Sequence, residues 1–468
     1  MTQIYRLAIN RAEQFCFFNL TWGEGMELTA KVPYPQKLVE KYEQWRQAYY
    51  YYYRALPSTM ANDGDGASAL RGRAGVTGNV PVAHTELRGQ LAQVGERLVA
   101  DLHNWLEQGE LIEIRRQLNQ RQHPQTANTL FIACNEMDLR RLPWESWELT
   151  TEFGQGPSIR IARQPVNIAI APNPPQKRRR KARALVIIGD DTGLDFGRDL
   201  EAVAQLKMLV DIQVIGWQRG KNTTDLIKQV RDRMCDPDGW DMLFFFGHSN
   251  EATGLGGEIA IAPKTYLSMR ELESDLTVAK RNGLQFALFN SCKGLDIANQ
   301  LVGLGLNQVV IMREPIHNQV AQSFLLQFLR RLAQYDDVHT ALQKATKELK
   351  AEQSMTFPSA YLVPSLFRHR GAELFQLQPV GWRAKLAKLW PSRRQSVALG
   401  AIAVLSLLPP VRDGLMAGRL LTQAVANHIV ARPLQAEVVS PPVLLGHVDD
   451  ASITDQSYGG DAARSNWG

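Results

Sequence analysis

Asp241-Met-Leu-Phe-Phe-Phe-Gly-His-Ser-Asn250 and Phe286-Ala-Leu-Phe-Asn-Ser-Cys-Lys-Gly294 decide how this chain folds. In each, a short apolar run stops at a turn rich in Gly, Ser and Asn, the pattern of a strand buried on both faces of a parallel sheet. Ligands of open parallel sheets bind at the carboxyl ends of the strands. If the two strands are neighbours, His248 and Cys292 face each other across that crevice. A thiol beside an imidazole is the minimum equipment for nucleophilic catalysis.

Outward from these runs, strand and helix alternate. Ala184 to Ile188 reads as a strand, Asp199 to Val210 as a helix, Ile212 to Ile215 as a strand and Thr224 to Met234 as a helix. After Cys292 come a helix from Leu295 to Val302, a strand from Val309 to Met312 and an amphipathic helix carrying Val320, Phe324 and Phe328. This alternation predicts a parallel sheet with crossover helices. Asp337 is placed to cap a helix from Val338 to Leu349, and Phe357-Pro-Ser-Ala-Tyr-Leu-Val363 is expected as a last, edge strand with Pro358 at its start. Gly254, Gly256 and Gly257 precede the alternation Glu258-Ile-Ala-Ile261; a phosphate loop would follow a strand and open a helix, so a β-hairpin is expected instead. Ser268-Met-Arg-Glu271 is a capping box for a short helix to Leu276.

Upstream, Ile4 to Ile9, Phe15 to Leu20 and Met26 to Val32 read as strands, with a turn at Gly23-Glu-Gly25. From Pro35 a helix follows through Leu38, Tyr42, Trp45 and Tyr49, and Tyr49 to Tyr53 read as a packed aromatic face rather than a base-stacking platform. Residues 57–82 read as a loop. Helical spacing resumes from about Glu86 to Arg121, Thr129 to Cys134 is a strand, and Leu142-Pro-Trp-Glu-Ser-Trp-Glu148 is expected to cover one edge of the next core. Pro172, Pro174, Pro175 and Lys177-Arg-Arg-Arg-Lys181 mark a linker. Its basic run reads as solvated, so no nucleic-acid partner is expected.

The 468 residues are 44% apolar and 21% charged, an ordinary globular composition with length for two or three domains. The net charge of +6 is modest and its positive residues are clustered. Cys16, Cys134, Cys235 and Cys292 lie far apart without CxxC spacing, so no disulfide framework, metal site or cofactor is expected, and a reducing compartment suits them. Met1 to Arg6 lacks the charged-then-apolar run of a cleavable signal peptide.

A lone buried His is usually a satisfied core residue and a lone Cys usually a small hydrophobe. The matched context sets His248 and Cys292 apart, and Cys292 also falls at or just before a helix N-terminus, where the macrodipole and an imidazole favour the thiolate. From the residues alone a catalytic pair and a structural pair both stand. Asp190, Asp191, Asp241 and Glu258 are all available as orienting acids, with no spacing that selects one.

The chain resembles the CHAT domains, caspase-like cysteine peptidases of the separase-containing clan. The resemblance runs roughly from Ala184 to Leu374. It rests on Phe246-Gly-His-Ser249, Phe289-Asn-Ser-Cys-Lys-Gly-Leu295, Val310-Ile-Met-Arg-Glu-Pro-Ile316 and the Phe357-Pro-Ser-Ala360 end strand, with Leu142-Pro-Trp-Glu145 similar to the family's lead-in. It implies an α/β fold with a caspase-like open, mostly parallel sheet and helices on both faces. It also implies His248 as general acid–base and Cys292 as nucleophile, hydrolysing a peptide bond of a protein or peptide substrate through an acyl-enzyme. Backbone N–H groups at Gly247 to Ser249 and at Cys292 would form the oxyanion hole. Asp191, Asn290 and Glu314 are candidates for a substrate pocket. The chain departs from the pattern at Ser249, where many relatives carry Gly, and at Asn290. That position two before the nucleophile often reads the substrate with an acid or a glutamine, so no preference for basic residues follows. The alternative is a catalytically silent module of the same fold that binds a partner.

The tail differs in kind. Gln395 to Val411 carries no charge and is near the shortest length that spans a bilayer. Arg383, Lys385, Lys388, Arg393 and Arg394 precede it, against Arg412 and Arg419 after it, which places the N-terminal side in the cytoplasm. A buried core helix is the competing reading. Arg432-Pro-Leu and Val443-Leu-Leu-Gly-His-Val-Asp-Asp-Ala-Ser452 resemble the opening of a CHASE-type extracytoplasmic sensor. The expected organisation is a smaller α+β region over 1–170, a linker over 171–183, a CHAT-like domain over 184–376 and a basic juxtamembrane segment over 377–394. One transmembrane helix over 395–411 and a sensor start over 412–468 follow, anchoring the protein in the cell membrane with its catalytic part cytoplasmic.

Overall fold

The computed structural model describes residues 3–55, 84–119, 128–148, 159–172, 181–218, 222–251, 256–353 and 357–379, with 419, 422 and 423. The chain divides into two units, Met1–Leu386 and Ala387–Gly468, and the architecture below belongs to the first. The expected span over 395–411, the CHASE-like stretch, the loop over 57–82 and most of the basic run lie outside the described residues. Among the described residues, no helix is long and apolar enough to cross a membrane.

In chain order, β1 (Ile4–Ala12), β2 (Phe15–Trp22) and β3 (Met26–Pro33) lead into α1 (Gln36–Ala55), α2 (His84–Leu106) and α3 (Ile112–Asn119). Then come β4 (Thr129–Cys134), α4 (Met137–Arg141) and β5 (Arg160–Arg163). The next stretch holds β6 (Ala182–Ile188), α5 (Gly197–Ala204), β7 (Val210–Gly216), α6 (Thr223–Met234), β8 (Met242–Phe246), β9 (Ser249–Asn250), β10 (Glu258–Ala262) and β11 (Thr265–Ser268). The last holds α7 (Glu273–Arg281), β12 (Phe286–Asn290), α8 (Leu295–Gly303), β13 (Gln308–Met312), α9 (Asn318–Ala333), α10 (Val338–Gln353) and β14 (Pro364–Arg368). Eleven of these strands form one sheet, ordered β3-β2-β1-β4-β5-β14-β13-β12-β8-β6-β7, and β9, β10 and β11 form a small second one. Pairing in the large sheet is antiparallel at β3/β2, β2/β1 and β14/β13 and parallel elsewhere.

The central strands are apolar at every position because both faces are covered. Phe244, Phe246, Phe286, Leu288, Val310 and Met312 pack with α1, α5 and α9 on one side. Leu243, Phe245, Ala287, Phe289, Val309 and Ile311 pack with α6, α7 and α8 on the other. Successive side chains of a strand point to opposite faces, which yields this odd–even division. Each fully buried Phe contributes on the order of 2 kcal/mol through the area it removes from water.

The expected edge strand over Phe357 to Val363 is a correction. Ser359 has φ 61° and residues Ala360–Leu362 make a 3-10 turn. The strand begins later, at Pro364, and runs inside the sheet between β13 and β5. Proline is tolerated there because it is the first residue of the strand. Since β14 bridges the two halves, the N-terminal strands and the strands after Ala182 share one sheet, and the linker over 171–183 separates no two sheets. The Leu142–Glu148 motif seals this junction. Trp144 is buried and its indole donates to Leu139 O at 2.8 Å, while Glu145 takes both Nε and Nη2 of Arg163 at 2.7 Å. Burial pushes the Glu145 carboxyl up, but the Arg163 guanidinium outweighs it and holds the carboxyl at about 2. Arg313, also buried, donates to Ser365 Oγ at 2.9 Å and to the carbonyls of Arg141 and Leu362.

Elsewhere the helix expected over Glu86 to Arg121 is broken by a 3-10 turn at Gly109–Leu111. The Ser268–Glu271 box forms, with Glu271 N on Ser268 Oγ at 3.2 Å and Ser268 N on Glu271 Oε2 at 2.8 Å. It closes a turn ahead of α7, which runs on to Arg281. Asp337 caps α10 as expected, accepting from Thr340 N at 2.9 Å. On α1, Leu38, Tyr42, Trp45, Tyr49, Tyr52 and Tyr53 are buried. The aromatic rings pack at tilted angles along the helix, with centroids 5.2 Å apart for Trp45–Tyr49 and 4.5 Å for Tyr49–Tyr53.

Candidate active site

β8 and β12 are parallel neighbours in register, Phe246 opposite Asn290. His248 and Cys292 each lie two residues beyond that pair, so the sheet carries them to adjacent tips at one end. Gly247 packs closely there: a Cβ would stand 3.0 Å from Phe245 Cζ and 3.1 Å from the Cα of Gly189 on the neighbouring strand end. Cys292 precedes α8 by a short turn in which Lys293 takes φ 52°, a left-handed conformation uncommon for a residue with a side chain. Cys292 is 0% exposed.

His248 is half-buried, and its Nε2 lies 3.0 Å from the carbonyl oxygen of Thr192 in the loop after β6. A carbonyl only accepts, so Nε2 carries the proton and Nδ1 of the neutral ring is the acceptor. The carboxylate of Asp190 holds that loop, its Oδ1 accepting from Thr192 N at 3.0 Å and Thr192 Oγ1 at 2.6 Å. Of the four acids considered as orienting groups, Asp190 is therefore the one tied to the imidazole, through Thr192. Asp191 is half-buried in the same loop, its carbonyl accepting from Leu194 N at 2.9 Å. Asp241 sits before the opposite end of β8, accepting from Arg183 N at 2.8 Å. Glu258 lies in the hairpin, opposite Asn250.

The three residues considered for a substrate pocket each engage different partners. Asn290 is fully buried, and its amide donates to Asp199 Oδ1 at 3.1 Å and to Ala321 O at 3.3 Å, tying β12 to α5 and α9. Glu314, 2% exposed, is engaged by α1. It accepts from the hydroxyls of Tyr42 at 2.7 Å and of Tyr50, with Arg46 Nε 3.4 Å away. Burial and then the Glu314 charge push both phenols up; burial pulls the Arg46 guanidinium down, but Glu314, Tyr50 and Glu43 together outweigh it and raise it. Tyr49, one turn along, is fully buried; burial first, then the nearby Cys292 and Glu314, push its phenol up. Tyr49 of α1 thus lies near the thiol. Thr192 and the α1 residues Tyr42, Arg46, Tyr49 and Tyr50 were not anticipated as neighbours of the site. The seven-residue spacing of Tyr42 and Tyr49 marked a buried face, but no local signal names what that face covers. Among the described residues no group of three or more His, Cys, Asp and Glu is placed to hold a metal ion.

Chemically, the arrangement offers a thiol at the tip of one strand and, at the tip of the next, an imidazole whose tautomer leaves one nitrogen free to take a proton. Among solved structures, the chain is similar to one in the Saccharomyces cerevisiae separase–securin complex at 2.6 Å resolution. The identity is 7% and the TM-score 0.47, covering 78% of this chain and 30% of that one. A 3.0 Å structure of the same complex matches at 8% identity and a TM-score of 0.45, over 80% of this chain and 30% of that one. The Arg-specific cysteine proteinase gingipain R matches at 9% identity and a TM-score of 0.35, over 60% of this chain and 71% of that one. The chain thus spans less than a third of the length of the matched chain in the separase complex. No curated protein sequence matches it. Residues 96–387, more than half of the chain, match the CHAT domain family, a region that opens within α2 and contains the Leu142–Glu148 motif, His248 and Cys292. The chain belongs to the CHAT domain family.

Proposed function

We propose that the chain is a cysteine-type endopeptidase in which Cys292 is the nucleophile and His248 the general acid–base. The observation that carries this reading is the 3.0 Å contact of His248 Nε2 with the Thr192 carbonyl, which leaves Nδ1 as the proton acceptor on the strand tip adjoining Cys292. Nδ1 takes the thiol proton, and the thiolate sulfur adds to the scissile carbonyl carbon. Backbone N–H groups around Gly247 to Ser249 and Cys292 steady the oxyanion. The amine leaves with the proton from His248, and water, deprotonated by the same ring, releases the acyl group from sulfur. The test is cleavage of a peptide library by wild type and by Cys292→Ala. Cleavage confined to the wild type supports the reading, and equal cleavage overturns it.

One observation favours a second reading, a silent partner-binding module: Cys292 is 0% exposed. A wild type that cleaves nothing, yet is pulled down with a defined partner irrespective of Cys292, would establish it. Membrane anchoring is proposed on the uncharged run Gln395 to Val411 and its basic flank alone. A reporter fused after Gly468 should then lie outside the cytoplasm, and a cytoplasmic signal would remove it.

A further inference from the structure

We propose that Ser249 is a positioning residue whose hydroxyl clasps the nucleophile turn to the imidazole turn; this rests on the peptidase reading of His248 and Cys292. Ser249 Oγ lies 2.8 Å from Ser291 Oγ and also contacts the carbonyl oxygen of Cys292. Ser249, Ser291 and Cys292 are all 0% exposed, so no water competes for these groups. A serine hydroxyl has one proton to give, and a carbonyl can only accept. The order is therefore fixed: Ser291 Oγ–H donates to Ser249 Oγ, and Ser249 Oγ–H donates to Cys292 O. A buried chain of this kind, with each member satisfied, is rigid.

The clasp acts at the point where the backbone needs holding. Lys293, next after Cys292, has φ 52°, and such a conformation persists only where its surroundings over-determine it. The turn is held from two sides. From the β13 side, Gly294 N donates to Met312 O at 2.9 Å. From the β8 side, the tie is Ser249 itself. Ser249 is also fixed, because β9 pairs with β10 at Ser249–Ile259 and Ala260 N donates to His248 O at 2.9 Å. The hydroxyl therefore joins the residue after the base to the peptide of the nucleophile. Without it, each tip keeps its own anchors but loses the bond that sets their spacing. A small displacement between reacting groups has a large effect on rate, up to about 100-fold for about 1 Å.

The test compares wild type, Ser249→Ala and Ser249→Thr in the full chain by kcat and KM for a cleaved peptide, by melting temperature, and by the pH dependence of Cys292 alkylation with iodoacetamide. The expected result for Ser249→Ala is a fall in kcat of about 10- to 100-fold with KM within about twofold. An altered alkylation profile should accompany it, and Ser249→Thr, which keeps the hydroxyl, should recover both. A kcat within about twofold of wild type, or a loss that follows the melting temperature and is not recovered by threonine, overturns the proposal. If the wild type cleaves no peptide, the peptidase reading fails by itself. The alkylation profile then decides the clasp: a shift in Ser249→Ala recovered by Ser249→Thr upholds it, and superimposable profiles overturn it.

Discussion

The imidazole of His248 hangs from the main chain of Thr192, with Nε2 3.0 Å from its carbonyl oxygen, and the carboxylate of Asp190 stands one step back. Its Oδ1 holds both Thr192 N and Thr192 Oγ1. Asp190→Ala should free that loop and lower kcat by about 10-fold, while Asp190→Asn, whose amide oxygen still accepts from Thr192, should keep most of the rate. Steady-state kinetics across pH distinguish the two. A carboxylate acting through its charge would instead make the asparagine variant as poor as the alanine one.

The Glu314 cluster ties α1 to the turn after β13, with Tyr49 near the thiol. Removing the Tyr42 hydroxyl leaves a carboxylate oxygen of Glu314, a residue 2% exposed, without its 2.7 Å partner. Tyr42→Phe should therefore destabilise the fold by about 1–3 kcal/mol in denaturant titrations. Tyr50→Phe combined with Arg46→Ala should loosen the helix and speed modification of Cys292 by a small thiol reagent. Unchanged modification in the double variant would mean that α1 does not control access.

Acid stability should fall in two windows. His317 is 2% exposed, neither ring nitrogen has a hydrogen-bond partner, and burial lowers its pKa from 6.5 to about 4. The unfolded chain takes up that proton first, so the contribution is complete above pH 6.5 and is lost as pH falls toward 4. His317→Phe keeps the ring between Tyr53 and Phe357 and should remove this dependence, on the order of 3 kcal/mol. Glu145, lowered from 4.5 to about 2, supplies stability that is present above pH 4.5 and lost below it. Glu145→Gln should flatten the stability curve there. Equilibrium unfolding of each variant from pH 7 to 2 checks both.

Much of the half after Ala182 was legible because its signals are local. A strand buried on both faces is apolar at each position, so Met242–Phe246 and Phe286–Asn290 announced themselves, and the turns after them held His248 and Cys292. The place of β14 was not legible: it depends on β4 and β5 attaching beyond it, a pairing between residues as distant as Phe367 and Arg163. Thr192 was invisible for a different reason, since its contribution is a main-chain carbonyl that any residue could supply. The α1 tyrosines showed a buried face, but Tyr50 and its partner Glu314 are 264 residues apart, and no sequence period spans that distance.

Whether His248 activates the Cys292 thiol is read out by covalent labelling. Wild type, His248→Ala and Cys292→Ala are treated with a peptidyl electrophile, and the modified residue and rate are read by mass spectrometry. Labelling is expected at Cys292 in the wild type, at a rate lower by about 100-fold or more in His248→Ala at unchanged melting temperature, and not at all at this position in Cys292→Ala. Labelling of His248→Ala at the wild-type rate, or labelling of Cys16, Cys134 or Cys235 in place of Cys292, would contradict that activation.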